Sequence, residues 1–589
     1  MKKLTLLFVL LWAGGLRAAE IKIVYPYEGM ALPNVPKTFV FGNITPSTAP
    51  FYINGSKIEV YKNGGFIAYL PIAPGDFSFK SELLDGATVV YERKVRVKPA
   101  EPPHPSSGTL YLNIISPSSE MELSPGDFIN VQAEGTPCRS ALFSAGDIVN
   151  GAALSEIPKC SGRYFGLYAV NDSDAGKEGA LSARFKAGLF ARSAETVLKK
   201  QIKILKVPQL LETSTDTVIL RNGIDTGYMM FLPMGVKLVS DGKIGAMRRI
   251  RLSPGEAAWV EDGKVAPAPP AVFPPQTETG TIRLKKTETG SQAAISLYDK
   301  VPYSAEELEN SLRLTLYYAA QHTNWVVYDS SDSFIENVVF RQAGENKVTV
   351  DFEFAKEKAL WGYDIYYGTR ALVLEFKQPV SAPGKWPRPL EGVKIALDPG
   401  HSAKQIPPYD GAIGPMGTFE YQANLAIALK TREALSNLGA QVFLTRKGDE
   451  TVQLADRPEI AKDYKADIFI SIHNNAVADG EDPFSQPRGF SVYYNHRHSR
   501  ALGKALHDAY VKNIPLPDEG LRYGDYLVAR MTYMPAVLIE NAYMILPEQE
   551  EMVFTPVFQD KLAASISSGV LEFFAAPQPA ETKPKKGEK

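Results

Sequence analysis

From Glu391 onward the chain repeats one rhythm, a short apolar run, a break and then an amphipathic run. VKIAL precedes YQANLAIALKTREALSNLG, and QVFLTR precedes a helical stretch near Arg457 to Tyr464. ADIFISIH, GFSVYYN, SRALGKALHDAYVKN, AVLIE and FQDKLAASISSGVLEFF complete the series. Strands alternating with helices predict an α/β domain over residues 391–575, a mostly parallel sheet flanked by helices. In the first long helix Leu425, Leu429, Leu435 and Leu438 share one face, and Gly439 stands where a helix end takes up a left-handed residue.

The preceding residues have a different texture. At 589 residues the chain exceeds what one hydrophobic core serves, so several domains are expected. Residues 20–99 are short alternating runs broken by turn residues, with Asn54-Gly55 and Asn63-Gly64 as hairpin dipeptides. They predict a small β-sandwich, and the pattern resembles bacterial immunoglobulin-like modules. A Pro/Ser linker follows at 100–108. A second β-sandwich is expected over 109–207, a small β module over 208–265 and a stiff Pro-rich linker over 266–279. Residues 280–380 read as a β-rich domain with one helix across SAEELENSLRLTLYYAA. Residues 576–589, rich in Pro and Lys, read as a disordered tail.

The charge balance makes no case for two partner classes. Lys+Arg is 64 against Asp+Glu 66, which offers no electrostatic footprint for nucleic acid or an anionic membrane. The N-terminus reads MKKLTLLFVLLWAGGLRAAE: a basic start, an apolar stretch too short to span a bilayer, then small residues. This is the layout of a secretory signal peptide over residues 1–19. No later segment is long and apolar enough to span a membrane, so the mature chain is expected to be exported without a transmembrane segment. The two cysteines, Cys138 and Cys160, lie in one β-rich segment, and in an exported chain they favour a local disulfide.

In open α/β sheets ligands bind beyond the carboxyl ends of the strands. VKIALDPGH ends on Asp398 and His401, ADIFISIHNNA on His473, and AVLIE on Glu540. Glu420, just before the first long helix, falls near the same edge. Two histidines with one carboxylate are a common catalytic zinc set that leaves a position for water. A second carboxylate outside the metal shell can carry the water proton to a leaving amine. Such a cation also accounts for a carboxylate at the end of an apolar strand, where an unpaired charge is costly.

These residues resemble the zinc-dependent N-acetylmuramoyl-L-alanine amidases of bacterial cell-wall turnover. The resemblance rests on IALDPGH, on the glutamate opening a helix in FEYQANLAIALK, on LTR, ISIHNNA and MPAVLIENAYM. It implies His401, Glu420 and His473 as Zn2+ ligands, Glu540 as the catalytic glutamate, and cleavage of the amide between N-acetylmuramic acid and L-alanine in peptidoglycan. Residues 280–380 likewise resemble the targeting domains found upstream of cell-wall amidases. Two departures stand out: a long loop between His401 and Glu420 containing KQIPPY, and Asn541-Ala542-Tyr543 where the family shows a small residue, Gly and Phe. The short connection from His473 to Gly489 leaves no room for the blocking helix of some members, so self-inhibition by that device is not expected.

Other residues carry weaker signals. Asn475 and Arg488 are candidate substrate contacts, and Arg446 and Arg457 are candidates for a stem-peptide carboxylate or for fixing loops. Asp398 is expected to support the site or fix a loop rather than bind the metal, since metal-bound histidines need an acceptor for their other ring nitrogen. His496 and His498 are a possible metal pair or plain loop residues. The expected partners are peptidoglycan and an envelope protein activator, in the periplasm or, alternatively, secreted or wall-associated. The β modules would position the enzyme in the envelope. The rivals are a zinc peptidase cutting within the stem peptide and a non-catalytic scaffold.

Overall fold

The structure is a computed structural model that describes residues 18–99, 110–186, 195–269, 274–382 and 384–575. The expected signal peptide is outside the described residues apart from Ala18 and Ala19, and the 100–108 linker and the tail lie wholly outside them. The chain divides into two compact units: Met1–Pro102 with Val380–Pro577, and Pro103–Pro379 with the last residues.

The first unit joins the N-terminal sandwich to the α/β domain. Its strands are β1 (Glu20–Tyr25), β2 (Ala31–Leu32), β3 (Lys37–Thr45), β4 (Phe51–Ile53), β5 (Ser56–Lys57), β6 (Gly65–Pro71), β7 (Gly75–Asp85) and β8 (Ala87–Val97). They form two sheets, β1-β3-β6 and β2-β8-β7-β4-β5. Asn54 and Gly55 both take positive φ, 48° and 78°, and join β4 to β5 in the two-residue hairpin that the dipeptide predicts. The three-stranded sheet is buried on both faces. Val40, Ile44, Phe66, Ala68 and Leu70 point into the sandwich core, while Phe39, Phe41 and Ile67 belong to a second cluster with Ile413, Val477, Tyr543, Ile545 and Leu546 of the α/β domain. Continuous apolar runs such as TFVF and GFIAYL are what a strand covered on two sides requires.

The α/β domain contributes β9 (Lys394–Pro399), α1 (Glu420–Asn437), β10 (Gln441–Leu444), α2 (Asp456–Asp463), β11 (Ile468–Asn475), β12 (Phe490–Tyr494), α3 (Arg500–Asn513), β13 (Asp518–Tyr523), β14 (Ala536–Tyr543), α4 (Pro547–Val553) and α5 (Pro556–Ala575). Strand order is β10-β9-β11-β14-β12-β13. All neighbours are parallel except β12 against β14. Gly439 has φ +101° just past α1. The leucine face of that helix needs correction: only Leu435 is fully buried, and the inward side is lined by Ala423, Asn424, Ile427, Ala428 and Thr431. Small residues let the helix lie close to the sheet, so the largest side chains do not mark its core face.

In the second unit, the strands between Leu112 and Ile204 enclose a core of their own, and Cys138 and Cys160 are disulfide-bonded. The boundary expected at 207/208 is crossed by a continuous sheet, because Met121–Leu123 pairs both with the strand ending at Ile204 and with Lys237–Ile244. Residues of 208–265 and of 280–380 share one hydrophobic cluster. The expected 266–279 linker begins and ends in paired strands, Val265–Pro267 and Thr277–Thr279. The helix expected across SAEELENSLRLTLYYAA is a hairpin of Tyr303–Glu307 and Ser311–Tyr317. Leu312, Leu314 and Leu316 are all buried, the period of two that defines a strand, and it outweighs the helix-favouring glutamates.

Candidate metal centre and active site

Three strand ends and one helix start converge at the carboxyl edge of the α/β sheet. β9 ends at Pro399, the Gly400 N–H donates to the Ile472 carbonyl at 3.0 Å, and His401 follows in the left-handed region at φ 62°. His473 on β11 stands in register with Glu540 on β14. Glu420 is the first residue of α1, and its N–H donates to the Ala412 carbonyl at 2.9 Å.

The side chains of His401, Glu420 and His473 meet. Their ligand atoms all lie within 4.8 Å of one another. His401 Nε2 is 3.2 Å from Glu420 Oε2, and His473 Nδ1 is 3.0 Å from Glu420 Oε1. Glycines make the space. A Cβ on Gly400 would sit 2.2 Å from the His473 ring, and one on Gly411 would sit 2.7 Å from the His401 ring and 2.8 Å from Glu420 Oε2. Glu540 is buried at the same edge, and its Oε2 has no hydrogen-bond partner.

Electrostatics favour a cation here. Burial opposes charge on His401, but Glu420 and Asp410 outweigh it and its pKa is pushed up to about 10. Burial likewise opposes the Glu420 charge, yet His401 and His473 hold that carboxyl well below its ordinary range. Burial first, and then the Glu420 charge, push Glu540 well above it. The cluster thus attracts positive charge to its centre, and two imidazole nitrogens with a carboxylate oxygen fit a zinc ion.

One supporting residue, Asp410, was not anticipated. His401 Nδ1 lies 2.8 Å from Asp410 Oδ1, so Asp410 and not Asp398 orients that ring. Asp398 is drawn away by Arg457 at 2.6 Å and by the hydroxyls of Thr445 and Ser471. Arg446 and Arg457 fix loops. Arg446 donates to the carbonyls of Pro399, Gly400 and Tyr421, and Arg457 to those of Pro399 and His401. Asn424 donates to Glu420 Oε1 at 3.1 Å and Asn541 to the His473 carbonyl at 2.7 Å. The sequence signal for Asp410 was slight, a lone aspartate in the long IPPYDG loop.

Asn475 ends β11, and its side-chain oxygen accepts from the Ala476 N–H at 2.8 Å. The Arg488 guanidinium lies 5.4 Å from the centre of the Tyr543 ring, its Nε is buried without a partner, and it lines a cavity of about 410 Å³ with Phe484, Gln549 and Tyr61. The rings of His496 and His498 stack with their centres 5.4 Å apart. Their Nε2 atoms meet the carbonyls of Arg530 and Met534 at 3.0 and 3.2 Å. Residues 476–489 hold turns and no helix.

Residues 395–572 match the family model described as N-acetylmuramoyl-L-alanine amidase. The chain is 33% identical over 190 residues to the probable cell wall amidase LytH of Staphylococcus epidermidis, which covers 32% of this chain and 60% of that relative. It is 30% identical over 186 residues to the N-acetylmuramoyl-L-alanine amidase LytC of Bacillus subtilis, 32% of this chain and 36% of that one. These matches therefore span less than two thirds of either relative. The solved catalytic domain of CwlV, an N-acetylmuramoyl-L-alanine amidase from Bacillus (Paenibacillus) polymyxa var. colistinus, is 34% identical; the match covers 31% of this chain and 97% of that one, with a TM-score of 0.28.

Proposed function

We propose, from a C-terminal domain that belongs to the N-acetylmuramoyl-L-alanine amidase family, that the chain hydrolyses the amide between N-acetylmuramic acid and L-alanine in peptidoglycan. His401, Glu420 and His473 hold zinc, and Glu540 carries the proton. The observation that carries this reading is the convergence of those three donors within 4.8 Å beside a buried carboxylate with an unpartnered oxygen.

A zinc ion held there supplies Lewis acidity toward the scissile carbonyl and lowers the pKa of water in the site to about 7. Glu540 takes the proton from the attacking water through Oε2. It delivers that proton to the alanine nitrogen as the carbon–nitrogen bond breaks. Asp410 holds the His401 ring, and Asn541 holds the His473 backbone, so the donors stay in place through turnover.

The substrate places the enzyme outside the cytoplasm, in keeping with the signal peptide read at residues 1–19; a periplasmic site is the reading adopted. Mass analysis of products from purified wall, with and without a chelator, tests the function. Intact glycan and peptides beginning with L-alanine, abolished by the chelator, are expected. Cuts within the peptide would reassign the enzyme as a peptidase.

A further inference from the structure

We infer that the N-terminal β-sandwich is a working part of the metal site: it clamps the hairpin of residues 413–419 and so fixes Asp410 and Glu420. This rests on the metal site proposed above. It adds to the expectation that the β modules position the enzyme in the envelope.

The hairpin leads directly into the site. Ile413 and Phe419 are bridged, the Gly414 N–H donates to the Thr418 carbonyl at 2.9 Å, and the Ala412 N–H donates to Glu420 Oε2 at 2.8 Å. At its base Asp410 contacts the His401 ring, and a Cβ on Gly411 would crowd that ring. Whatever fixes this hairpin therefore fixes one proposed ligand and the group that orients another.

Two surfaces hold it. On one side Glu550 of α4 accepts from the Met416 N–H at 3.0 Å and from the Thr418 hydroxyl at 2.5 Å, and a Cβ on Gly414 would sit 2.2 Å from Glu550 Oε1. On the other side stands the sandwich. Asn43 of β3 donates to the Pro415 carbonyl at 2.8 Å. Ile413, only 8% exposed, packs in one cluster with Phe39, Phe41 and Ile67, and Phe419 packs against that cluster. Tyr25 stacks on Phe39 and Phe41 at 5.2 and 5.3 Å, which stiffens this face. The same sheet reaches a second loop, where the Tyr69 hydroxyl donates to the Gly480 carbonyl at 3.0 Å and Tyr25 donates to Asp479. A Cβ on Gly480 would sit 2.7 Å from Val35. Aromatic packing, a specific hydrogen bond and glycine-dependent close approach together describe a fitted interface.

The test uses the full chain with Asn43→Ala and Ile67→Ala combined, against Asn54→Ala, whose side chain bonds only within the sandwich, to Ser78 and Lys80. Three quantities are read: hydrogen exchange at the Gly414, Gly417 and Glu420 amides, zinc affinity by chelator competition, and the visible spectrum of the Co2+ form. The clamp predicts at least tenfold faster exchange, at least tenfold weaker zinc binding and a shifted cobalt spectrum in the double variant, with Asn54→Ala unchanged. Equal exchange and affinity in the two proteins would overturn it. Asn43→Ala alone removes one hydrogen bond and carries the same comparison at about fivefold, should the double variant lose the sandwich. A wild-type chain that takes up no zinc would count against the metal site alone, and the exchange rates would still decide the clamp.

Discussion

Glu540 and Asp410 are the two residues whose replacement separates proton transfer from metal binding. Glu540→Gln keeps the shape of the buried side chain and removes the proton carrier. Turnover of muropeptide should fall by about 10²–10⁴-fold, with zinc content unchanged by metal analysis. Asp410→Asn leaves Glu540 untouched and weakens the orientation of His401. Zinc affinity should fall by about 10–100-fold in chelator competition, and excess zinc should restore much of the rate. Three of the four central residues were legible in the sequence because strand ends in an α/β sheet have a fixed address, and Glu420 because it opens the first long helix. Asp410 was not, because its position depends on how a long irregular loop folds back. Asp398 was expected to support the site or fix a loop, and the buried Arg457 and two hydroxyls claim both of its oxygens.

Among elements, α4 and the 413–419 hairpin meet through a carboxyl group with unusual acidity. Burial raises the pKa of Glu550 from 4.5 to about 7, against the bonds from Thr418 and Met416 that lower it. Folding therefore favours the protonated form. The contribution is full below pH 4.5 and is lost as pH rises through about 7, a change of about 3 kcal/mol. Thermal unfolding of wild type and Glu550→Gln between pH 5 and 8 should show wild type losing ground as pH rises; parallel curves would remove the effect. The alternation of strands and helices after Glu391 was plain in the sequence, as each period matched its environment. The hairpin at Tyr303–Glu307 and Ser311–Tyr317 was missed because Ala and Glu favour helix locally, while the burial of alternate leucines is decided by distant strands. The runs TFVF and GFIAYL are continuous rather than alternating, a mark of two-sided burial that the reading as alternating strands passed over, and nothing local named the second surface.

At the scale of the molecule, residues far apart in sequence form one unit, and the segment Pro103–Pro379 forms another. Deleting residues 20–380 should lower activity on soluble muropeptides about as strongly as on intact wall, because the hairpin loses its support in both assays. A loss confined to intact wall would restrict the sandwich to an anchoring role. The disulfide belongs to the other unit, so Cys138→Ser with Cys160→Ser should cost that unit about 3 kcal/mol in denaturant unfolding and leave muropeptide turnover unchanged.

The pairing of the sandwich with an α/β domain so distant in sequence also bears on the nascent chain. The outer face of β1, β3 and β6, with its stacked Tyr25, Phe39 and Phe41, is synthesised some 370 residues before Pro415, which Asn43 meets. Until then this aromatic surface has no cover, and contacts of such sequence separation form late. Exposed apolar surface of this kind is aggregation-prone, so a product cut short before Pro415 is expected to self-associate. Such a product also lacks Glu420, His473 and Glu540, so the sandwich face and the proposed metal site are completed by the same later segment.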